Sequence, residues 1–520
     1  MSYQCQLRGP AGPSMAELLP RAAPEFELVD HGELRSHERI LDTGDEQLRA
    51  AGLIARERVE SGHTRLRVEP VGLVPGVVGS HPPLVAELGD GLDAPQQLRA
   101  LLAGRLPLSL ESGLRCTMSL ELRRERGMVS GPELEAELWL DHLRARLPGG
   151  AEVHELVELR ARLVAGSSVA FDALAQQLGR ELGAAPASDD RHAHLRERLG
   201  LPPFFADEAE PALDPRAAVG PVARSLARSL LQRMRRHEPG TRVGLDPEQL
   251  HKMRVATRRL RSALQSLGAA FPTPTRRVLR AELRWLAREL GQVRDLDVYR
   301  QALPAWRALH GDASLLEAGW GAVERRLAAR WGSAHAALLG TLDGERYRRL
   351  LAMAEAAFEA HPTDEEETKA GREPLGEALP SLMRQPLRRF ARAHERFGRS
   401  GTMEDAHRLR IAAKGLRYAF ELLAPLWGRG TLRRLRRLGA FQDALGEQQD
   451  AVVARELVER LLDDAALEPA AAFVLGQLHG ASTVVIARGP TVVREALEGL
   501  RADELLARLE RAARRVDRGR

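Results

Sequence analysis

The chain has 520 residues, 44% hydrophobic and 29% charged, with a formal net charge of +5. That length predicts two or more domains with ample cores, and two cysteines, Cys5 and Cys116, exclude a disulfide scaffold and favour a reducing compartment. There is no N-terminal apolar run of signal-peptide length and no stretch approaching 18 apolar residues, so a soluble cytoplasmic protein that makes no use of a membrane is expected.

The net charge hides an asymmetry. Residues 1–215 hold 23 basic and 34 acidic side chains, a balance of −11, and the remainder holds 54 and 38, a balance of +16. A basic C-terminal part suits a polyanionic partner. Lys252, Lys369 and Lys414 are the only lysines, and a codon bias toward Arg, Ala, Gly and Leu explains most of the arginine excess.

In chain order, residues 1–23 are rich in Pro, Gly and Ala and are expected to be disordered. From about Pro24 to Gly150, short segments broken by Gly and Pro predict strands at Leu53–Val59, Thr64–Val68, Leu114–Leu122 and Glu133–Leu140. Leu174–Leu182 and Arg191–Leu199 read as helices, and 204–215, with its acidic Asp207–Pro215 stretch, as a linker. From Arg216 onward the pattern is helical almost throughout. Expected helices are 217–236, 247–268, 274–291, 294–309, 314–339 and 345–360, then, after the acidic loop His361–Pro374, 375–397, 403–425, 430–446, 448–463, 467–487 and 491–517.

One arrangement occurs twice. His251, Arg254, Arg258 and Arg261 recur at the same steps as His407, Arg410, Lys414 and Arg417. At about 100° per residue each set falls within roughly 80° on one helix face. Met253, Ala256, Leu260, Leu264 and Leu267 lie across the axis of the first. Like charges at these spacings repel by about 0.2–0.5 kcal/mol per pair, so a repeated cationic stripe suggests an anion that offsets the cost. Leu290-Gly291-Gln292-Val293-Arg294-Asp295 is answered by Leu445-Gly446-Glu447-Gln448-Gln449-Asp450, and the two motif spacings, 156 and 155 residues, indicate a duplicated helical bundle.

These motifs resemble the CHAD family, all-α domains of two pseudo-symmetric four-helix halves. The resemblance covers about 216–520, with halves near 216–360 and 375–520; Gly415 stands where a basic residue is common. It implies that inorganic polyphosphate is bound, without a cofactor, in a basic channel between the halves, with polyphosphate granules as the expected location. The matching positions are His251, Arg254, Arg258, Arg261, His407, Arg410, Lys414 and Arg417, with Lys252, Arg259, Arg284, Arg288, Arg224 and Arg228 as further candidates. The chemistry agrees: guanidinium forks grip phosphate oxygens, and phosphate charge favours a protonated histidine. Arg224/Arg228 and Arg284/Arg288 fit solvated faces equally well. Asp295 and Asp297 resemble a metal pair but are better read as a helix cap or a partner of Arg294.

Pro24-Glu25-Phe26-Glu27-Leu28-Val29, with Leu41–Thr43 and Leu48–Arg58, resembles the CYTH family of triphosphate tunnels, antiparallel β-barrels that often precede CHAD domains. The fold expected is therefore a degenerate CYTH-like, β-barrel-like domain over 24–203 followed by the all-α domain. The CYTH pattern opens Glu-x-Glu-x-Lys, and Val29 replaces its lysine. Arg56/Arg58 and Arg65/Arg67 lie where substrate-binding cations would fall, and Glu25, Glu27, Glu155 and Glu158 are candidate ligands for Mg²⁺ or Mn²⁺. Val29 favours an inactive barrel. The alternatives to polyphosphate capture are a metal-dependent triphosphatase in this domain and a generic polyanion or nucleic-acid binder. Against nucleic acid stand the 4% aromatic content and the absence of a recognisable helix-turn-helix.

Overall fold

The computed structural model describes residues 4–10, 12–60, 63–71, 83–88, 93–106, 113–187, 191–204, 211–310, 314–363, 367–462 and 467–515. Linker residues 205–210 and acidic residues 364–366 therefore lie outside the described residues. The chain forms two compact units, Met1–Glu208 with Pro239–Asp246, and Ala209–Glu238 with Pro247–Arg520.

The N-terminal unit runs β1 (Gln4–Gly9), α1 (Met15–Ala22), β2 (Glu27–Thr43), α2 (Gln47–Ala50), β3 (Leu53–Glu60), β4 (His63–Pro70), β5 (Leu84–Leu88), α3 (Ala94–Leu102), β6 (Leu114–Ser130), β7 (Leu134–Arg146), β8 (His154–Gly166), α4 (Ser168–Glu181), β9 (Ala185–Pro186) and α5 (Arg191–Arg198). Its nine strands form one antiparallel sheet in the order β5-β4-β3-β2-β6-β7-β8-β1-β9, and among the described residues no pairing joins β5 to β9. Strand alternation sends Leu7, Leu138, Leu140, Val157 and Leu159 to one face, where they pack with Leu18 and Leu19 of α1 and Phe171, Leu174 and Leu178 of α4. The other face carries Ile40, Ile54, Leu120, Leu143 and Leu156, covered by Leu195 of α5 and by Phe204.

The N-terminal residues correct the expectation of disorder. Residues 4–9 add a strand beside β8, and Leu7 is buried there. Helix α1 starts at a capping box in which the Glu17 carboxylate accepts the Ser14 backbone N–H at 3.0 Å. The Pro-Gly composition marked turns around these elements and hid their apolar residues.

The C-terminal unit is helical: α6 (Val219–Arg236), α7 (Glu238–Val243, most of which belongs to the N-terminal unit), α8 (Pro247–Ser266), α9 (Thr273–His310), α10 (Ser314–Asp343), α11 (Glu345–Glu359), α12 (Lys369–Arg372), α13 (Leu375–Ser400), α14 (Met403–Leu422), α15 (Arg429–Leu462), α16 (Pro469–Leu500) and α17 (Ala502–Arg515). Helices α6, α8, α9, α10 and α11 recur as α13–α17, each start displaced by 155 to 157 residues. Each half thus carries a fifth helix beyond the four expected. Ala218 and Pro374, themselves 156 positions apart, form an antiparallel bridge between the two beginnings. One core runs through both halves, from Leu260, Leu264 and Leu286 to Leu409, Leu416 and Phe420.

Three expected helix breaks are absent. Residues 274–291 and 294–309 form the single 38-residue α9, 430–446 and 448–462 form the 34-residue α15, and α16 runs through the break expected at 488–490 and ends at Leu500. Gly291 and Gly446 each cost about 1 kcal/mol in a helix. Burial of Leu290 and Val293, and of Leu445, offsets that cost. The far ends of α9, α10, α15 and α16 share a separate core around Trp320, Leu327, Leu457, Val474 and Leu475. Helix α16 carries polar Gln477, His479, Ser482 and Thr483 within its apolar stretch. It is long and apolar enough to cross a membrane by length and composition, with an 18-residue window of mean hydropathy 1.5, although Ala471, Val474, Leu475 and Leu478 sit in that core.

Candidate functional site

The apolar residues Met253, Ala256, Leu260 and Leu264 bury one side of α8, as their spacing predicts, and leave His251, Arg254, Arg258 and Arg261 along another. Thr402 caps α14 by accepting the Asp405 N–H, and Leu409, Ala413, Leu416 and Phe420 bury its core side. Helices α8 and α14 pack against each other, which brings the two stripes together.

Electrostatics record the crowding. Burial, then the charges of Arg410, Arg258 and Arg254, lower the Lys414 ammonium to about 8, so α8 cations act on an α14 lysine. His251 is pushed down to about 4 by burial and then by Arg294, Arg258, Arg254 and Lys252. Burial is also the largest cause depressing Arg258, Arg261 and Arg410. The Tyr418 ring lies between the halves, 4.9 Å from the Arg258 guanidinium and 5.5 Å from that of Arg417. Arg417 also pairs with Glu421 at 3.2 Å.

Buried donors here lack acceptors. His251 Nδ1, Arg254 Nε, Arg258 Nε, Arg294 Nη1 and Arg410 Nε meet no hydrogen-bond partner within the protein. Such groups are costly to bury unpaired, and their convergence between two helices marks a place for an acceptor from outside. Asp450 acts on Arg410 and Lys414, and Asp295 is held up by burial against the pull of Arg254. Neither aspartate caps a helix: Asp295 lies inside α9, and Asp297, also inside it, is buried and accepts the Trp331 Nε1–H at 2.7 Å.

The structure sorts the remaining candidates. Arg261 feels Arg284 and Arg280, and Arg280 in turn feels Arg276 and Arg389, so the basic surface continues along α9 to α13. Arg284 and Arg288 are themselves exposed, as are Lys252 and His407. Arg259 instead lines a cavity of about 60 Å³ with Arg233, Tyr418 and Glu421. Arg224 and Arg228 are structural. Arg224 donates to buried Glu367 at 2.7 Å, and Arg228 donates to the Phe358 carbonyl at 2.9 Å. Sequence inspection missed Arg294 and Tyr418 as site members. Both stood inside or beside the quoted motifs, Tyr418 one helical turn after Lys414.

The N-terminal unit does not assemble the expected metal ligands. Glu25 and Glu27 are exposed, Glu155 is exposed and pairs with Arg144 at 2.9 Å, and Glu158 is buried. Positions 155 and 158 fall on opposite faces of β8, because successive side chains alternate. The opening strand of the sheet is β1, whose alternate residues are Gln4, Gln6 and Arg8. Amides thus stand where an opening Glu-x-Glu pattern would supply carboxylates.

The buried carboxylates Asp141 and Glu158 are already occupied. Arg124, Asp141, Glu158 and Arg8 lie opposite one another on β6, β7, β8 and β1. Arg8 holds one Glu158 oxygen at 2.9 and 2.7 Å, and Arg124 holds both Asp141 oxygens at 2.6 and 2.8 Å. Arg191 of α5 bridges the pair, at 2.6 Å from each. Burial would raise both carboxyls, but Arg124 and Arg191 hold Asp141 well below the usual range, and Arg191 and Arg8 hold Glu158 below it. Every carboxylate oxygen has a guanidinium, so these residues do not fit a divalent metal. Arg56 and Arg58 flank Glu38 at 3.3 and 3.6 Å, and Arg65 and Arg67 pair with Glu87 and Glu69 at 2.9 and 2.7 Å.

Comparisons with known proteins match parts of the chain. The chain is similar to PptA from Streptomyces chartreusis at 19% identity, over 54% of this chain and 99% of that one, with a TM-score of 0.44. It is similar to the putative adenylyl cyclase HpAC1 from Hippeastrum, described as having a dominant triphosphatase activity, at 17% identity over 40% of this chain and 100% of that one, TM-score 0.24. No curated protein matches. The CHAD domain from the plant Ricinus communis is 30% identical, over 57% of this chain and 96% of that one, with a TM-score of 0.46. The CHAD domain model matches residues 225–459. With that match, the chain carries a CHAD domain over residues 225–459.

Proposed function

We propose that the C-terminal unit binds inorganic polyphosphate between α8 and α14 and leaves it chemically intact. One observation carries this function: buried guanidinium and imidazole donors from both halves converge without protein acceptors. Arg254, Arg258, Arg410, Lys414 and Arg417 supply the charge, and His251 a ring nitrogen. A flexible chain with one charge per phosphate can reach all of them, whereas a stiff duplex presents its phosphates on a wide cylinder. The CHAD domain match over residues 225–459 supports the same ligand class. No cofactor is required, and a role at cytoplasmic polyphosphate stores follows from the ligand.

The N-terminal unit is proposed as non-hydrolytic, because guanidinium groups fill the carboxylates of Asp141 and Glu158. The test is a titration of the full chain with long-chain polyphosphate, tripolyphosphate and single-stranded DNA, with phosphate release followed in Mg²⁺ or Mn²⁺. Polyphosphate should bind more tightly than DNA of equal charge, and Arg254→Ala with Arg410→Ala should weaken it at least tenfold. Equal affinity for DNA would leave a generic polyanion binder. Metal-dependent turnover of tripolyphosphate would overturn the non-hydrolytic assignment.

A further inference from the structure

The two halves of the site are not equivalent at their histidines. His407 is exposed, next to an Arg408 that is paired with Glu404 and, at 2.8 Å, with Asp405. His251 is half-buried, and its Nδ1 meets no hydrogen-bond partner in the protein. The charges acting most on it are all positive: Lys252, Arg254 and Arg258 on its own helix, and Arg294 from α9. Lys414 is flanked by Arg410 on α14 and by Arg254 and Arg258 on α8, and Asp450 of α15 is the one carboxylate among its principal neighbours.

We propose that His251 is a proton-coupled latch of the polyphosphate site: neutral while the site is empty, it takes up a proton as the phosphate chain enters and then donates to it. This rests on the function proposed above. The physical cause is a change in sign of the surroundings. Four cations and partial burial make an imidazolium costly in the empty protein, in line with the depression of its pKa to about 4. A bound phosphate chain cancels those charges and offers an acceptor for the ring N–H, so both causes reverse together. The protonated ring in turn binds phosphate more tightly. Coupling is reciprocal, so acidification must strengthen capture as much as capture strengthens protonation.

Isothermal titration of the full chain with long-chain polyphosphate at pH 6, in buffers of differing ionisation enthalpy, counts the protons taken up. Interior phosphates of a long chain stay ionised at this pH, so the ligand contributes none. The wild type should take up close to one proton per site, and its affinity should rise by up to about tenfold per pH unit as pH falls from 7 to 5. His251→Gln should abolish most of the uptake and flatten the pH profile. Buffer-independent enthalpies in the wild type, with binding still sensitive to Arg254→Ala, would overturn the latch and leave the polyphosphate function standing. The wild-type buffer series alone decides this even if the variant folds poorly. Failure of the wild type to bind polyphosphate would overturn both.

Discussion

At the scale of single residues, the site is defined by charges brought together without counter-charges. His251 makes a clear case in the empty protein. Its folded pKa, about 4, lies below the ordinary value near 6.5, so the unfolded chain binds a proton that the folded one refuses. The group therefore costs nothing above about pH 6.5 and lowers stability progressively as pH falls toward 4. Urea unfolding at pH 7 and pH 4.5 should show the wild type losing more stability than His251→Gln over that interval. Arg191 is the opposite case, a cation between two fully buried carboxylates. Truncating it leaves a buried network one partner short, and Arg191→Ala should cost about 3–5 kcal/mol in denaturant unfolding. A loss below 1 kcal/mol would mean that Arg8, Arg124 and Arg160, which reaches Asp141 at 3.2 Å, suffice.

At the scale of elements, long helices hold the site and glycines set how closely they approach. A Cβ on Gly319 of α10 would lie 2.4 Å from the Ala470 carbonyl oxygen and 2.8 Å from a Val474 methyl of α16. Gly319→Ala must force α10 and α16 apart, and a loss of about 1–3 kcal/mol in chemical unfolding is expected. Gly415 of α14 has nothing within 4 Å of the equivalent position. Gly415→Lys should therefore stabilise the helix by about 0.5–1 kcal/mol. It should also tighten polyphosphate binding several-fold, since it adds a cation beside Lys414. Unchanged affinity in the same titration would place residue 415 outside the ligand's path.

At the scale of the whole molecule, duplication explains both what the sequence disclosed and what it concealed. The apolar faces of α8 and α14 and the spacing of their cations follow one helical period, so a projection of the chain located them. That the two stripes line one channel was implied by the family resemblance and not by the helical period. Partners distant in sequence were not legible. Arg224 and Arg228 have the same spacing as site residues, yet Glu367 and the Phe358 carbonyl take them. Arg259 is one residue from Arg258 and turns about 100° away from it, into a different cavity. In the N-terminal unit, the acidic pattern at Glu25 and Glu27 looked like the start of the sheet. The true first strand, at Gln4–Gly9, carries amides and was hidden by its Pro-Gly surroundings. Its partner across the sheet, Glu158, is legible as buried only once β1 is placed against β8.

The central claim is that a polyanion bridges the two stripes, and the salt dependence of polyphosphate affinity tests it most directly. Each phosphate contact releases condensed counterions, so about six contacts predict a fall on the order of 10³-fold between 50 and 200 mM salt. Arg254→Ala with Arg410→Ala, one change on each stripe, should lower the log–log slope by close to two contacts as well as the affinity. An unchanged slope in the double variant, with wild-type affinity, would show that the ligand binds elsewhere and would contradict the account.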